Sequence, residues 1–178
     1  MKLKVSKVML ESALIFSAKS DVRYYLNGVC FKPGGVFTST DGHRLFYGQH
    51  VNDNDQEVIV SNVKSPTKKY EEAIFDTESG IVDFNDAFGI KVGVAIFSVV
   101  DGKFPDVERI MPKSFQAVDS IGFNAGYLAS IEKAAKLFNN RWESVKIQFS
   151  GSSSSAVCEL KTPTGEGGKI VIMPMRLD

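Results

Sequence analysis

The sequence predicts an α+β fold built from repeated βαβββ units, with helices on one face of curved antiparallel sheets. Three observations lead there. One pattern, a short strand, one amphipathic helix and then several strands, is read three times along 178 residues. Apolar residues at 43% and charged residues at 24% are the proportions of a globular chain with a real core. Turn signals such as Pro33-Gly34-Gly35 and Asp41-Gly42 separate the alternating runs at hairpin spacing.

In the first unit Leu3-Lys4-Val5 is a short strand leading into a helix from about Ser6 to Ala18. Met9, Ala13 and Phe16 line one face of that helix, and Leu10 and Leu14 widen it. Alternating runs at Arg23 to Phe31, Val36 to Thr40 and Arg44 to Val51 are its strands. The second unit opens with a strand at Glu57 to Val60. Ser65-Pro66 then offers an N-cap and a first-turn proline for a short helix through Ile74, and strands at Ile81 to Phe84 and Ile90 to Val100 follow. In the third unit a strand around Val118 to Phe123 precedes a helix over 124–139 capped by Asn124. Tyr127, Ile131, Ala134 and Phe138 fall there at the spacing of a buried stripe. Strands at Val145 to Phe149, Ala156 to Leu160 and Lys169 to Met173 complete it.

The search for catalytic machinery is negative. Only two histidines are present, His43 and His50, and neither has a cysteine or carboxylate at ligand spacing. There is no phosphate-binding glycine loop, so neither an enzyme nor a metal or cofactor site is expected. Cys30 and Cys158 sit in apolar alternating runs and read as buried free thiols. No apolar run is long enough to span a bilayer, and the first residues lack the apolar core of a signal peptide, so a cytoplasmic protein without membrane contact is expected. Basic and acidic residues balance at 21 each, which disfavours tight, site-specific DNA binding but leaves room for a weak local positive lining.

Five segments, in order, resemble the bacterial DNA sliding clamp family, the beta subunit of DNA polymerase III. They are Asp21-Val22-Arg23-Tyr24-Tyr25-Leu26-Asn27-Gly28; Thr40-Asp41-Gly42-His43-Arg44-Leu45; Asp101-Gly102-Lys103-Phe104-Pro105-Asp106 running to Met111-Pro112; Ile121-Gly122-Phe123-Asn124 with Tyr127; and Met173-Pro174-Met175-Arg176-Leu177. The resemblance implies the DNA-clamp fold. Residues 1–113 would match the middle clamp domain, made of two units, and 114–178 the second half of the last domain.

It further implies a hydrophobic groove that accepts short linear motifs from DNA polymerase and other replication or repair proteins. Leu26, Thr40, Gly42, His43, Arg44, Leu45 and Pro112 would form one wall. Asn124, Tyr127, Val171, Met173, Pro174, Met175, Arg176 and Leu177 would form the other, with Asp178 an addition to the family's usual ending. The resemblance also implies non-specific contact with duplex DNA through Arg23, Tyr24 and Tyr25. Lys68 and Lys69 on the second helix and Lys133 and Lys136 on the third would add charge without reading sequence. The expected role is a non-catalytic sliding-clamp-like processivity factor for a polymerase, served by a clamp loader. The alternative is a decoy that keeps the groove and sequesters partners without encircling DNA. Because the third unit lacks its domain partner, the flank of its helix at Leu128 and Ala135 is expected to be covered by another copy in a homo-oligomer, with a tetramer ahead of a dimer.

Overall fold

The computed structural model describes residues 1–138 and 144–176. Its elements in chain order are β1 (Lys2–Ser6), α1 (Lys7–Phe16), β2 (Gly28–Lys32), β3 (Val36–Thr40), β4 (Arg44–Gln49), β5 (Val58–Ser61), β6 (Glu72–Asp76) and β7 (Ile81–Asn85). After these come β8 (Lys91–Ile96), β9 (Ser98–Val100), α2 (Ala125–Leu137), β10 (Lys146–Phe149), β11 (Ala156–Lys161) and β12 (Gly167–Ile172). Single 3-10 turns lie at Tyr24–Leu26 and Val107–Ile110.

Local chemistry starts each helix. The Ser6 hydroxyl accepts a hydrogen bond from the Met9 amide and opens α1, and the Asn124 side chain accepts one from the Gly126 amide at 2.8 Å and opens α2. The apolar stripes expected of both helices are buried: Met9, Leu10, Ala13 and Phe16 on α1, and Ile131, Ala134 and Phe138 at α2. Residue 139, where the third helix was expected to end, lies outside the described residues.

The strands form two antiparallel sheets. One has the order β1-β6-β7-β8, the other β10-β11-β12-β4-β3-β2-β5-β9. In the larger sheet β12 pairs with β4 from Lys169↔Tyr47 to Ile172↔Arg44, so strands from the two ends of the chain share one surface. Helices α1 and α2 pack side by side under that surface and close a core with Phe31, Phe37, Phe46, Phe75 and Phe84. Alternation along the strands sends their neighbours to the opposite face. There Cys30, Leu45, Val157 and Val171 form a second core with Leu26, Phe104 and Val107.

Several expectations are corrected. The helix read through Ile74 does not form: residues 62–71 carry no regular structure, and Glu72–Asp76 is a strand whose Phe75 pairs with Leu3. Ala73 and Phe75 are buried while their neighbours are half-exposed, a period of two, and the Ser65-Pro66 start is followed only by polar Thr67, Lys68 and Lys69. The loop takes the helix's place, with Pro66 set against Gly93 and Tyr70 packed edge-on to Phe84.

The strand expected from Arg23 is confined to Gly28–Lys32. Asn27 closes the preceding residues into a loop by bonding both the amide and the carbonyl of Asp21. The run from Ile90 to Val100 breaks at buried Phe97, whose amide bonds the Gly80 carbonyl, so β8 and β9 belong to different sheets. No strand forms over Val118 to Phe123. The α2 flank is not left bare either: Ala135 is fully buried in the core shared with α1, and only Leu128 remains exposed. Two α-helices form among the described residues rather than the three expected.

Candidate functional site

The seam where β4 meets β12 is built from the tight turn between β3 and β4. The Asp41 carboxylate accepts bonds from the His43 and Arg44 amides, the Thr40 hydroxyl accepts one from the Gly42 amide, and Gly42 sits at φ +90°, which favours glycine. Asp41 also holds the Arg44 guanidinium at 2.6 and 2.9 Å. Arg44 is thereby set between two rings, 5.5 Å from the centroid of Phe16 and 5.0 Å from that of Tyr127 on α2. The His43 imidazole stacks on the same Tyr127 ring at 5.9 Å, and the His43 carbonyl accepts the Met173 amide at 2.9 Å. The turn, the end of β12 and the start of α2 are thus locked together.

A mainly apolar pocket of about 110 Å³ opens at this seam, lined by Thr40, Gly42, His43, Arg44, Leu45, Ile110, Val171 and Met173. Seven of those eight are residues that the sequence singled out. Beyond them, Met175 bonds the Gly122 carbonyl through its amide, and Met173 and Met175 both keep exposed side chains. Pro174 and Arg176 continue the same segment, and Leu177 and Asp178 lie outside the described residues.

Two expected wall residues stand back from the pocket. Leu26 is buried in the second core, and Pro112 is two positions beyond the residue that does line the pocket, Ile110. Asn124 acts through its cap on α2. Ile110 was missed because it follows Glu108-Arg109 in a stretch without periodicity; the apolar pair Ile110-Met111 before Pro112 was the only signal.

A polar depression of about 340 Å³ adjoins the pocket and shares His43 and Arg44 with it, lined also by Lys19, Asp21, Arg23 and Asp41. Arg23 grips Asp21 at 2.7 and 3.0 Å, and those hydrogen bonds lower the Asp21 carboxyl to about 2. The Arg23 guanidinium also lies over Gly42, where an added Cβ would come within 3.0 Å of it. Arg23, expected to face DNA, therefore sits on the rim of the pocket. Tyr24 is exposed and donates its hydroxyl to the Asp101 carbonyl, whereas Tyr25 is half-buried against the second core.

The expected lysines are not gathered. Lys133 and Lys136 are exposed on α2, the latter paired with Glu132 at 2.6 Å. Lys68 and Lys69 are exposed on the 62–71 loop rather than on a helix, with Lys69 3.7 Å from Glu71. Among the described residues no three His, Cys, Asp or Glu side chains group as metal ligands, and no helix is long and apolar enough to cross a membrane.

Antiparallel sheets joined edge to edge over a layer of paired helices define a DNA clamp. The match with solved clamps is chain-wide. The DNA polymerase III beta subunit of Pseudomonas aeruginosa superposes with a TM-score of 0.67 over 99% of this chain and 67% of its own, at 21% identity. The polymerase sliding clamp of Bacillus subtilis does so with a TM-score of 0.64 at 15% identity. In sequence, the beta sliding clamp of P. aeruginosa is 32% identical over 144 residues, 75% of this chain, and that of Escherichia coli 31% identical over 159 residues, 81% of it. No family model matches. The chain is a relative of the bacterial beta sliding clamps, and it spans 38% and 41% of the length of those two relatives.

Proposed function

We propose that this chain is a non-catalytic, sliding-clamp-like accessory protein of DNA replication, which docks short motifs of polymerase-type partners in the seam between β4 and β12. The observation that carries the proposal is the convergence of Thr40, Gly42, His43, Arg44 and Leu45 from one end of the chain with Val171 and Met173 from the other around one apolar pocket. The pocket has room for an aliphatic side chain, and the unbranched methionines beside it adapt to ligands of different shape. One solved relative, a P. aeruginosa sliding clamp, is described as bound to griselimycin, so a clamp of this fold takes a ligand. Residues 1–113 are read as the equivalent of a middle clamp domain and 114–178 as half of a last domain.

Weak, sequence-independent contact with duplex DNA is the second half of the proposal, resting on exposed Tyr24 and Lys133. The role of processivity factor, with a clamp loader as partner, requires a ring of several copies. The packing of α2 against α1 within one chain favours the alternative, a decoy that occupies partner motifs without encircling DNA, since the paired helices need no second copy to be covered. A primed circular template separates the two: a processivity factor lengthens polymerase products on it, and a decoy shortens those made with a full-length clamp.

A further inference from the structure

We propose that a second cavity, on the face of the larger sheet turned away from the helices, binds the phosphate group of a small organic phosphomonoester. The cavity, of about 310 Å³, lies over β4, β12 and β11, and its side chains are Tyr47, Gln49, Glu159, Lys161 and Lys169 around Gly167. Register puts them on one face. Tyr47 pairs with Lys169, Lys169 with Glu159 and Lys161 with Gly167, while Gln49 is two residues on from Tyr47. The alternate residues of the same strands, Phe46, Ile170 and Cys158, turn to the core shared with the helices. No lining residue is shared with the apolar docking pocket.

Gly167 opens the space. An added Cβ there would meet only the Leu160 carbonyl, at 3.8 Å, so the room that a side chain would take is left empty beside Lys161. Donors face that room. Among the described residues no acceptor bonds the Tyr47 hydroxyl, the Gln49 side-chain amide or the Lys161 ammonium. Burial and the nearby Glu108 carboxylate raise the Tyr47 phenol above its ordinary value, so it stays a donor. The single carboxylate of the cavity, Glu159, is already engaged. Lys169 lies 3.2 Å from it, and Lys146 is its register partner on β10, so positive charge exceeds negative here.

The donors select the ligand. They come singly, from Tyr47 and Gln49 on β4 and Lys161 on β11, rather than as the planar fork of an arginine. Separate donors suit the several oxygens of a tetrahedral oxyanion better than a flat carboxylate, and a lysine ammonium is the point charge that commonly holds phosphate. Size narrows the choice further. The volume is at the small end of ligand sites, enough for a phosphate carrying one ring and not for a length of duplex. The Tyr47 ring packs against the second core and gives the rest of such a ligand a fixed apolar wall.

Titrating the full chain with phenyl phosphate at physiological salt, followed by backbone amide chemical shifts, should give saturable changes at Tyr47, Gly167 and Gly168, and inorganic phosphate should compete. Lys161→Gln should weaken binding roughly tenfold and Tyr47→Phe about threefold, whereas Lys133→Gln on α2 should leave it unchanged. Gly167→Leu should abolish binding by filling the room, with thermal unfolding read alongside. If that variant does not fold, the Lys161 and Tyr47 substitutions decide the matter alone. No saturable change in the parent, equal losses from Lys133→Gln and Lys161→Gln, or tighter binding of benzoate than of phenyl phosphate would each overturn the proposal. Peptide binding in the apolar pocket is measured in parallel and is expected to be unchanged by Lys161→Gln, so that failure of one reading is distinguishable from failure of the other.

Discussion

The guanidinium of Arg44 lies 5.0 Å from the centre of the Tyr127 ring, tying the start of β4 to the first turn of α2 across more than eighty residues of chain. Its orientation is fixed by Asp41, so little freedom is lost in making the contact. A double-mutant cycle with Arg44→Met and Tyr127→Leu, read by chemical denaturation, is expected to give a coupling of about 0.5–1 kcal/mol. Additive effects would show that the ring and the cation merely lie near each other.

Packing beneath the seam is equally specific. A Cβ on Gly48 would lie 2.5 Å from the Met9 sulfur and 2.9 Å from Phe46, both fully buried. Gly48→Ala is therefore expected to destabilise the fold by about 1–3 kcal/mol through overpacking. Gly167→Ala, whose added carbon would meet only the Leu160 carbonyl at 3.8 Å, should stay within about 0.5 kcal/mol of the parent. Equal effects at the two positions would contradict the packing described.

Much of this was legible in the residues. Stripes at Met9, Ala13 and Phe16 and at Ile131, Ala134 and Phe138, the second behind an Asn cap, fixed both helices. What misled was a cap without a stripe: Ser65-Pro66 resembles a helix start, but the apolar residues after it, Ala73 and Phe75, keep strand period. The pairing of β4 with β12 was beyond reach from periodicity, because an alternating strand declares which face is apolar and not which strand lies beside it. For the same reason Ile110 and the placing of Arg23 over Gly42 emerged only from the fold, whereas Thr40 to Leu45 and Met173 were found through their resemblance to clamp segments.

For DNA, binding is expected to be weak, indifferent to sequence and steeply reduced by salt. Lys133→Glu and Tyr24→Ala should each lower it in a fluorescence anisotropy titration without altering peptide binding. Lys136→Glu should matter less, since Lys136 already neutralises Glu132 at 2.6 Å. Tight binding to one sequence at physiological salt would contradict the reading.

The two thiols make a pH prediction. Burial pushes Cys30 up to about 12 and Cys158 up to about 11 from an ordinary 9.0, with nearby Glu57 and Glu159 adding to the effect. The folded chain thus holds these protons more tightly than the unfolded one. Their contribution to stability is fully present below about pH 9 and declines as pH rises toward the folded-state values. Denaturation midpoints should fall above pH 9, and a thiol reagent near neutral pH should label the cysteines only as the chain unfolds. Rapid labelling of the native protein would show that they are not buried.

The central claim is that the β4–β12 seam is a peptide-docking groove. It is tested most directly by titrating a fluorescent peptide carrying a Gln-x-x-Leu-Phe motif against the parent chain and against Met173→Ala with Met175→Ala. The account predicts saturable, micromolar binding to the parent and a loss of about 1–3 kcal/mol in the variant, with the fold intact because both side chains are exposed. Absence of binding to the parent, or equal binding to both proteins, would contradict it.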